Sequence, residues 1–192
     1  MHEVDLKPLI HQLHRISGGN LEGNLLSDTS VEVFNSQTAF LEKYFFALQP
    51  KKILEIGTNK GMFSIFCKRT LRNNFEIFTF GIDEWSGNCI KRIEKYFKQK
   101  FVNFYHGNSF YTLSNFHETE IDIAWVDGDH SYKVALSDLE NCQRLKIKNI
   151  FVDDYLGHAE VKLAVDDFCK KTSYNIIDST SDKRGIVLLS SF

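Results

Sequence analysis

Ile53-Leu54-Glu55-Ile56-Gly57-Thr58-Asn59-Lys60-Gly61 is the stretch that decides the fold of this chain. An apolar strand carrying one acid runs into a turn bracketed by two glycines, and a helix is expected to begin near Met62. Backbone free of side chains at such a turn lets a nucleotide-like ligand approach the strand end closely. The dinucleotide fingerprint G-x-G-x-x-G does not fit here. The pattern is E-x-G-x-x-x-G.

Working outward, strands and helices alternate. Strands are predicted at Lys52 to Ile56, Glu76 to Ile82, Val102 to His106, Ile121 to Val126 and Ile150 to Val152. Helical spacing fills the gaps at Met62 to Leu71, Cys89 to Lys98, Tyr132 to Leu145 and Ala159 to Lys171. The strands are short, apolar and mostly β-branched or aromatic, as when helices cover both faces of a parallel sheet. Tyr174 to Ile177 and Gly185 to Leu189 read as a final hairpin joined by the polar turn Asp178 to Arg184. Upstream, a helix over Val4 to Ile16 is stopped by Ser17-Gly18-Gly19-Asn20, and a loop covers Leu21 to Ser30. A further helix runs from Ser36 to Leu48, its Phe40, Tyr44 and Phe45 read as core packing. The organisation is thus a helical cap segment over residues 1–48 and an α/β domain over 49–192, one globular unit.

At 192 residues, 43% hydrophobic and 25% charged, the chain can bury a substantial core, and disorder is excluded. A net charge of -2 gives no overall basic field for nucleic acid or an anionic membrane. The lysines of 91–100 and 146–148 have acids among or near them and read as solvated surface. No long apolar run marks a membrane span, and Met1-His2-Glu3-Val4-Asp5 is not a signal peptide, so a cytoplasmic location is expected. Cys67, Cys89, Cys142 and Cys169 are widely spaced without a C-x-x-C pair, which argues against a zinc knuckle or disulfide framework.

In an open α/β sheet, ligands bind beyond the carboxyl ends of the strands. Those ends carry Glu55, Gly57 and Gly61; then Asp83; then Gly107-Asn108-Ser109; then Asp127-Gly128-Asp129-His130; then Asp153-Asp154-Tyr155. Asp83 can accept two hydrogen bonds from ribose hydroxyls, or cap a helix. Asn108 and Ser109 either meet an adenine edge or form an ordinary turn. Trp85 reads as a partly buried packing residue beside a possible adenine site. Asp127, Asp153 and Asp154 can converge, since neighbouring strands lie about 4.8 Å apart. Three such carboxylates would repel, and a divalent ion removes that conflict; oxygen ligands point to Mg²⁺, with Ca²⁺ or Mn²⁺ as alternatives. The competing reading makes each acid a separate helix cap.

These residues resemble a known group. E-x-G-x-x-x-G is similar to motif I of the class I S-adenosylmethionine (SAM)-dependent methyltransferases. Trp125-Val126-Asp127-Gly128-Asp129-His130-Ser131-Tyr132, Ser137-Asp138-Leu139, Ile150-Phe151-Val152-Asp153-Asp154-Tyr155 and Val161 to Phe168 resemble the macrocin O-methyltransferase type. The likeness to catechol and caffeoyl-CoA O-methyltransferases is more distant. The resemblance spans about Phe40 to Leu189. It implies a Rossmann-like class I methyltransferase fold: a mostly parallel seven-stranded sheet, an antiparallel C-terminal hairpin and helices on both faces. It implies SAM contacts at Glu55, Gly57, Thr58, Gly61, Asp83, Asn108, Ser109 and Asp127, and metal ligands at Asp127, Asp153 and Asp154. His130 falls three positions after the first metal acid, where catechol methyltransferases carry their catalytic lysine, so His130 and Asp127 are the catalytic candidates. The family's middle glycine is Asn59 here, Asn108 stands where an acid often precedes the adenine contact, and Phe63 replaces a small polar residue.

The expected activity is methyl transfer to a hydroxyl of a small, sugar-like acceptor, with His130 as proton acceptor or as a cap of the helix after Ser131. The segments 17–35, 131–133 and 156–158 are expected to form the acceptor pocket; they are polar and contain Asn20, Asn24, Asp28 and His158. The N-terminal helices offer a homodimer surface. A nucleic-acid methyltransferase is disfavoured: its D/N-P-P-Y loop is absent, the only prolines being Pro8 and Pro50. A nicotinamide enzyme lacks its glycine fingerprint. A non-catalytic SAM-fold subunit would have no use for the acid trio.

Overall fold

Alternate residues of the central strands are sorted onto opposite faces of one sheet, as a pleat of period two requires. The computed structural model describes residues 29–191, so the expected helix over Val4 to Ile16 and most of the following loop lie outside the described residues. Helix α1 (Thr29–Leu48) leads into β1 (Lys52–Ile56), α2 (Met62–Leu71), β2 (Glu76–Gly81), α3 (Glu84–Phe97) and β3 (Val102–His106). A short α4 (Ser109–Thr112) and a 3-10 turn precede β4 (Ile123–Val126), α5 (Tyr132–Arg144) and β5 (Asn149–Val152). Then come α6 (Ala159–Lys171), β6 (Tyr174–Ser179) and β7 (Val187–Ser191).

The seven strands form one sheet in the order β3-β2-β1-β4-β5-β7-β6. The first five are parallel, and β7 pairs antiparallel with both β5 and β6. This is the expected parallel sheet with its closing hairpin. Strand β1 pairs with β2 on one side and β4 on the other, so the order reverses there and a crevice opens beyond the strand ends.

Ile53, Ile77, Trp125, Phe151 and Leu188 form one core cluster with Leu41, Phe45 and Phe66 of α1 and α2. Their strand neighbours Leu54, Phe78, Ala124, Ile150 and Leu189 form a second with Leu139, Val165 and Phe168 of α5 and α6. Leu41 and Phe45 are fully buried, Phe45 edge-on to Phe66 at 5.0 Å. Burying each contributes roughly 1.5–3 kcal/mol, so α1 is built into this face of the sheet. Helix α1 begins at Thr29, earlier than the sequence reading placed it, and α3 begins at Glu84 rather than Cys89. Among the described residues, no helix is long and apolar enough to cross a membrane.

Candidate active site

The turn after β1 is shaped by what lies behind it. Gly57 has φ +100°, and a Cβ there would lie 1.8 Å from the Asp127 carbonyl oxygen. Only glycine lets this turn pack on the backbone leaving β4. The Gly57 and Thr58 amides donate to the Phe80 carbonyl at 2.9 and 3.1 Å, tying the turn to β2 as well. Gly61 (φ +73°) packs on α3, where a Cβ would come within 2.6 Å of Ile93 Cδ1. Both glycines therefore answer first to protein packing rather than to a ligand.

A cavity of about 630 Å³ opens along these strand ends, a volume typical of small-molecule sites. Every cofactor, metal and base candidate from the sequence borders it except Gly61. Asp83 occupies the N-cap position of α3 yet makes no capping bond, and its carboxylate is exposed. Asn108 does cap: its Oδ1 accepts the Phe110 amide at 2.9 Å. Glu55 is 1% exposed and accepts a hydrogen bond from Ser64 Oγ at 3.1 Å. Burial pushes its pKa up to about 8, against the lowering effect of Thr79 and Ser64, so Glu55 is a neutral acid at pH 7. Trp85 is half exposed and lies off the cavity wall. The wall instead holds Phe80 and the pair Trp125 and Phe63, stacked at 5.0 Å with planes 8° apart.

At the other end of the cavity the acids converge. Parallel register pairs Val126 with Val152, which sets the following residues, Asp127 and Asp153, side by side. Carboxylate oxygens of Asp127, Asp153 and Asp154 lie within 4.8 Å of one another. Burial, then the charges of Asp127 and Asp154, raise the Asp153 pKa to about 7. Asp154 is 1% exposed, sits at φ 60° and has no hydrogen bond to Oδ1. Such a left-handed backbone costs an aspartate about 1 kcal/mol or more. Its Oδ2 lies 3.2 Å from His130 Nε2 and 3.9 Å from His158 Nε2, and Oδ1 lies 3.6 Å from Arg184 Nε. Asp127 holds the His130 pKa above its ordinary value, burial opposing and Asp154 adding to the rise. The first amides of α5 are served elsewhere: Ser131 N donates to Asp129 Oδ1 at 2.8 Å and Tyr132 N to Glu160 Oε2 at 2.7 Å. The His130 ring thus faces the acids, and the helix does not depend on it.

Two cavity residues escaped the sequence reading. Gln37 of α1 donates from Nε2 to Asp153 Oδ1 at 3.1 Å, and its Oε1 is buried without a partner. Arg184, read only as part of a polar turn, reaches the cavity from between β6 and β7. No spacing rule marks either one; a buried glutamine on an aromatic helix face was the only available signal.

Behind the cavity floor, Asp138 of α5 is fully buried, with no well-formed hydrogen bond to either carboxylate oxygen and only Ser109 near enough to help. Burial raises its pKa to about 7, partly offset by Ser109. An unfolded aspartate titrates near 3.9, so above pH 4 the unfolded chain sheds this proton while the fold keeps it. Stability therefore falls from pH 4 to pH 7, by about 4 kcal/mol at most from this group. Asp138→Asn is expected to raise Tm by about 5–10 °C above pH 7 and to leave it unchanged at pH 4. An equal gain at both pH values, measured by thermal melting, would show that ionisation is not the cause.

Comparison with known proteins adds to this geometry. A family model for methyltransferase domains matches residues 54–155. No curated protein matches the chain. An O-methyltransferase from Bacillus cereus, solved with S-adenosylhomocysteine (SAH), superposes with a TM-score of 0.71 at 17% identity, over 96% of this chain and 91% of that one. TomG of Streptomyces achromogenes, an O-methyltransferase of tomaymycin synthesis solved with SAM, gives 0.68 at 17%, over 82% and 80%. SAH-bound PaMTH1 of Podospora anserina, a methyltransferase, gives 0.66 at 14%, over 100% and 97%. At these identities the likeness is one of fold. The family match itself runs over more than half the chain, from β1 through Asp83 to the double aspartate after β5, and on it the chain belongs to the methyltransferase-domain family.

Proposed function

We propose that the protein transfers the methyl group of SAM to a hydroxyl of a small, sugar-like or polyhydroxylated acceptor, assisted by a divalent cation. One observation carries the reading: a single cavity holds an uncommitted carboxylate at the end of β2 and three carboxylates with a histidine at the ends of β4 and β5. Asp83 makes no capping bond, which supports its assignment to the ribose hydroxyls. SAM bound in TomG and its demethylated product SAH bound in the Bacillus cereus enzyme support SAM as the ligand of this fold.

The sulfonium makes its own methyl reactive, so the protein's task is alignment of the acceptor oxygen behind that carbon. The oxygen gives its proton to His130 and attacks the methyl carbon, the C–S bond breaks, and SAH leaves as a neutral thioether. With Nε2 turned to Asp154, the base atom of His130 is Nδ1. Gln37 Oε1, buried and unpartnered on the cavity wall, accepts a hydrogen bond from a second acceptor hydroxyl. Asp127, Asp153 and Asp154 fit a cation: Asp154 Oδ1 lacks a hydrogen bond, and mutual repulsion helps to keep Asp153 protonated up to about pH 7. An all-oxygen set suits Mg²⁺, with Ca²⁺ or Mn²⁺ as alternatives. A bound divalent ion supplies a Lewis acid that makes a nearby hydroxyl more acidic.

Titration calorimetry with SAM tests the donor assignment. The wild type is expected to bind, and Asp83→Ala to bind at least about tenfold more weakly, the loss of a charge-assisted hydrogen bond of about 1.5–3 kcal/mol. Unchanged affinity would remove Asp83 from the donor site.

A further inference from the structure

We infer that His130, Asp154 and His158 form a second cation site, selective for a borderline divalent ion such as Zn²⁺ or Co²⁺. It overlaps the three-carboxylate set at Asp154 alone. One donor atom from each of these residues lies within 4.8 Å of the others. The local fold explains the convergence. The His158 amide donates to the Asp154 carbonyl at 2.9 Å, closing one helical turn that puts both side chains on one face. The His130 ring meets that face, its centroid 4.0 Å from that of His158 and the planes tilted by 37°.

Zn–N bonds of 2.0–2.1 Å imply about 3.3 Å between neighbouring donors in a tetrahedral shell. His130 Nε2 already lies 3.2 Å from Asp154 Oδ2, and His158 Nε2 lies 3.9 Å from it. His158 is half exposed and stands at the N-cap of α6 without a capping bond, so its ring is free to close that gap. A second observation points the same way. Asp154 is 1% exposed and its backbone is held in the left-handed region, so its carboxylate is fixed with Oδ2 toward both rings. A hard ion such as Mg²⁺ takes oxygen and leaves imidazole aside, so the carboxylate set gives His158 no role. Borderline ions prefer imidazole, and they outbind Mg²⁺ at mixed donors.

The two sites exclude one another, because both need Asp154. On the proposed methyl-transfer reading, an ion on His130 Nε2 would place positive charge on the ring and lower the basicity of Nδ1, so borderline ions would inhibit the enzyme.

The test uses the full chain and two ions. CoCl₂ is titrated by visible absorption, where four-coordinate Co²⁺ shows d–d bands far stronger and at longer wavelength than the six-coordinate aqua ion, and MgCl₂ by calorimetry. The wild type is expected to bind Co²⁺ with such bands. His158→Ala is expected to lose them and weaken Co²⁺ binding at least about tenfold, with Mg²⁺ affinity unchanged. Asp153→Asn should do the reverse, losing Mg²⁺ and keeping Co²⁺. Co²⁺ binding indifferent to His158→Ala, or absent from the wild type, overturns the inference. His158→Gln repeats the test should the alanine variant melt early. A wild type that binds Co²⁺ through His158 but never Mg²⁺ would sink the carboxylate-ion reading and leave this site standing.

Discussion

Treatment with EDTA is expected to abolish methyl transfer, and added Mg²⁺ to restore it. The three carboxylates of Asp127, Asp153 and Asp154 share one cluster, and two of them are almost fully buried. Taking such charges out of water without a countercharge costs several kcal/mol each. The raised Asp153 pKa is that cost expressed as retained protons. Arg184 and His130 lie within ion-pair distance of Asp154 but not of Asp153, whose hydrogen bonds come from uncharged groups, the Asp154 backbone and Gln37. On the proposed reading, a cation would complete the compensation and add several kcal/mol of charge stabilisation during transfer. Its removal should therefore cost at least about 10³-fold in rate. Asp153→Ala should lose turnover to the same degree while calorimetry shows SAM affinity within about twofold of wild type, because the proposed donor end of the cavity is built on β1 and β2. Turnover that survives thorough chelation removes the ion from the reaction and leaves the His130–Asp154 pair as its chemistry.

The sheet was legible because its signals are local and repeated. The helices Met62–Leu71 and Ala159–Lys171 begin and end where the spacing placed them, and β3 and the strand of Glu55 agree as well. Misplaced boundaries have tertiary causes. Ser86 and Gly87 look like loop, yet α3 runs through them because Gly87 packs on Phe104, where a Cβ would lie 2.9 Å from the ring. Ile121 is buried but outside β4, where the Asp122 carboxylate rather than a strand carbonyl accepts the Lys51 and Lys52 amides at 2.7 and 2.9 Å. A bulge at Ile176/Asp178 carries β6 two residues further than its apolar run. In the site, strand-end acids could be collected from sequence because topology alone sends them to one rim. Gln37 could not, as it meets Asp153 across 116 residues of chain. Nor could the pairing of His158 with His130, which depends on the turn after Asp154 closing on itself.

Replacing His130 by alanine is expected to lower kcat by about two to four orders of magnitude, the usual worth of a positioned general base. The KM for SAM should stay within about twofold, since the ring stands at the acid end of the cavity. The bland alternative makes His130 a helix cap, and it predicts a different pattern: lost stability with mild loss of rate. Geometry separates the two. Asp129 and Glu160 already accept the amides of Ser131 and Tyr132, so removing the imidazole strips no partner from the start of α5. Its loss instead takes a neighbour from buried Asp154, 3.2 Å away. Melting temperature should therefore hold within a few degrees while rate collapses, and added imidazole should recover part of the rate by entering the vacated space. His130→Asn gives the sharper contrast, because asparagine is a good cap and no base at neutral pH. If that variant keeps more than a tenth of wild-type kcat, proton transfer to His130 is not part of the reaction.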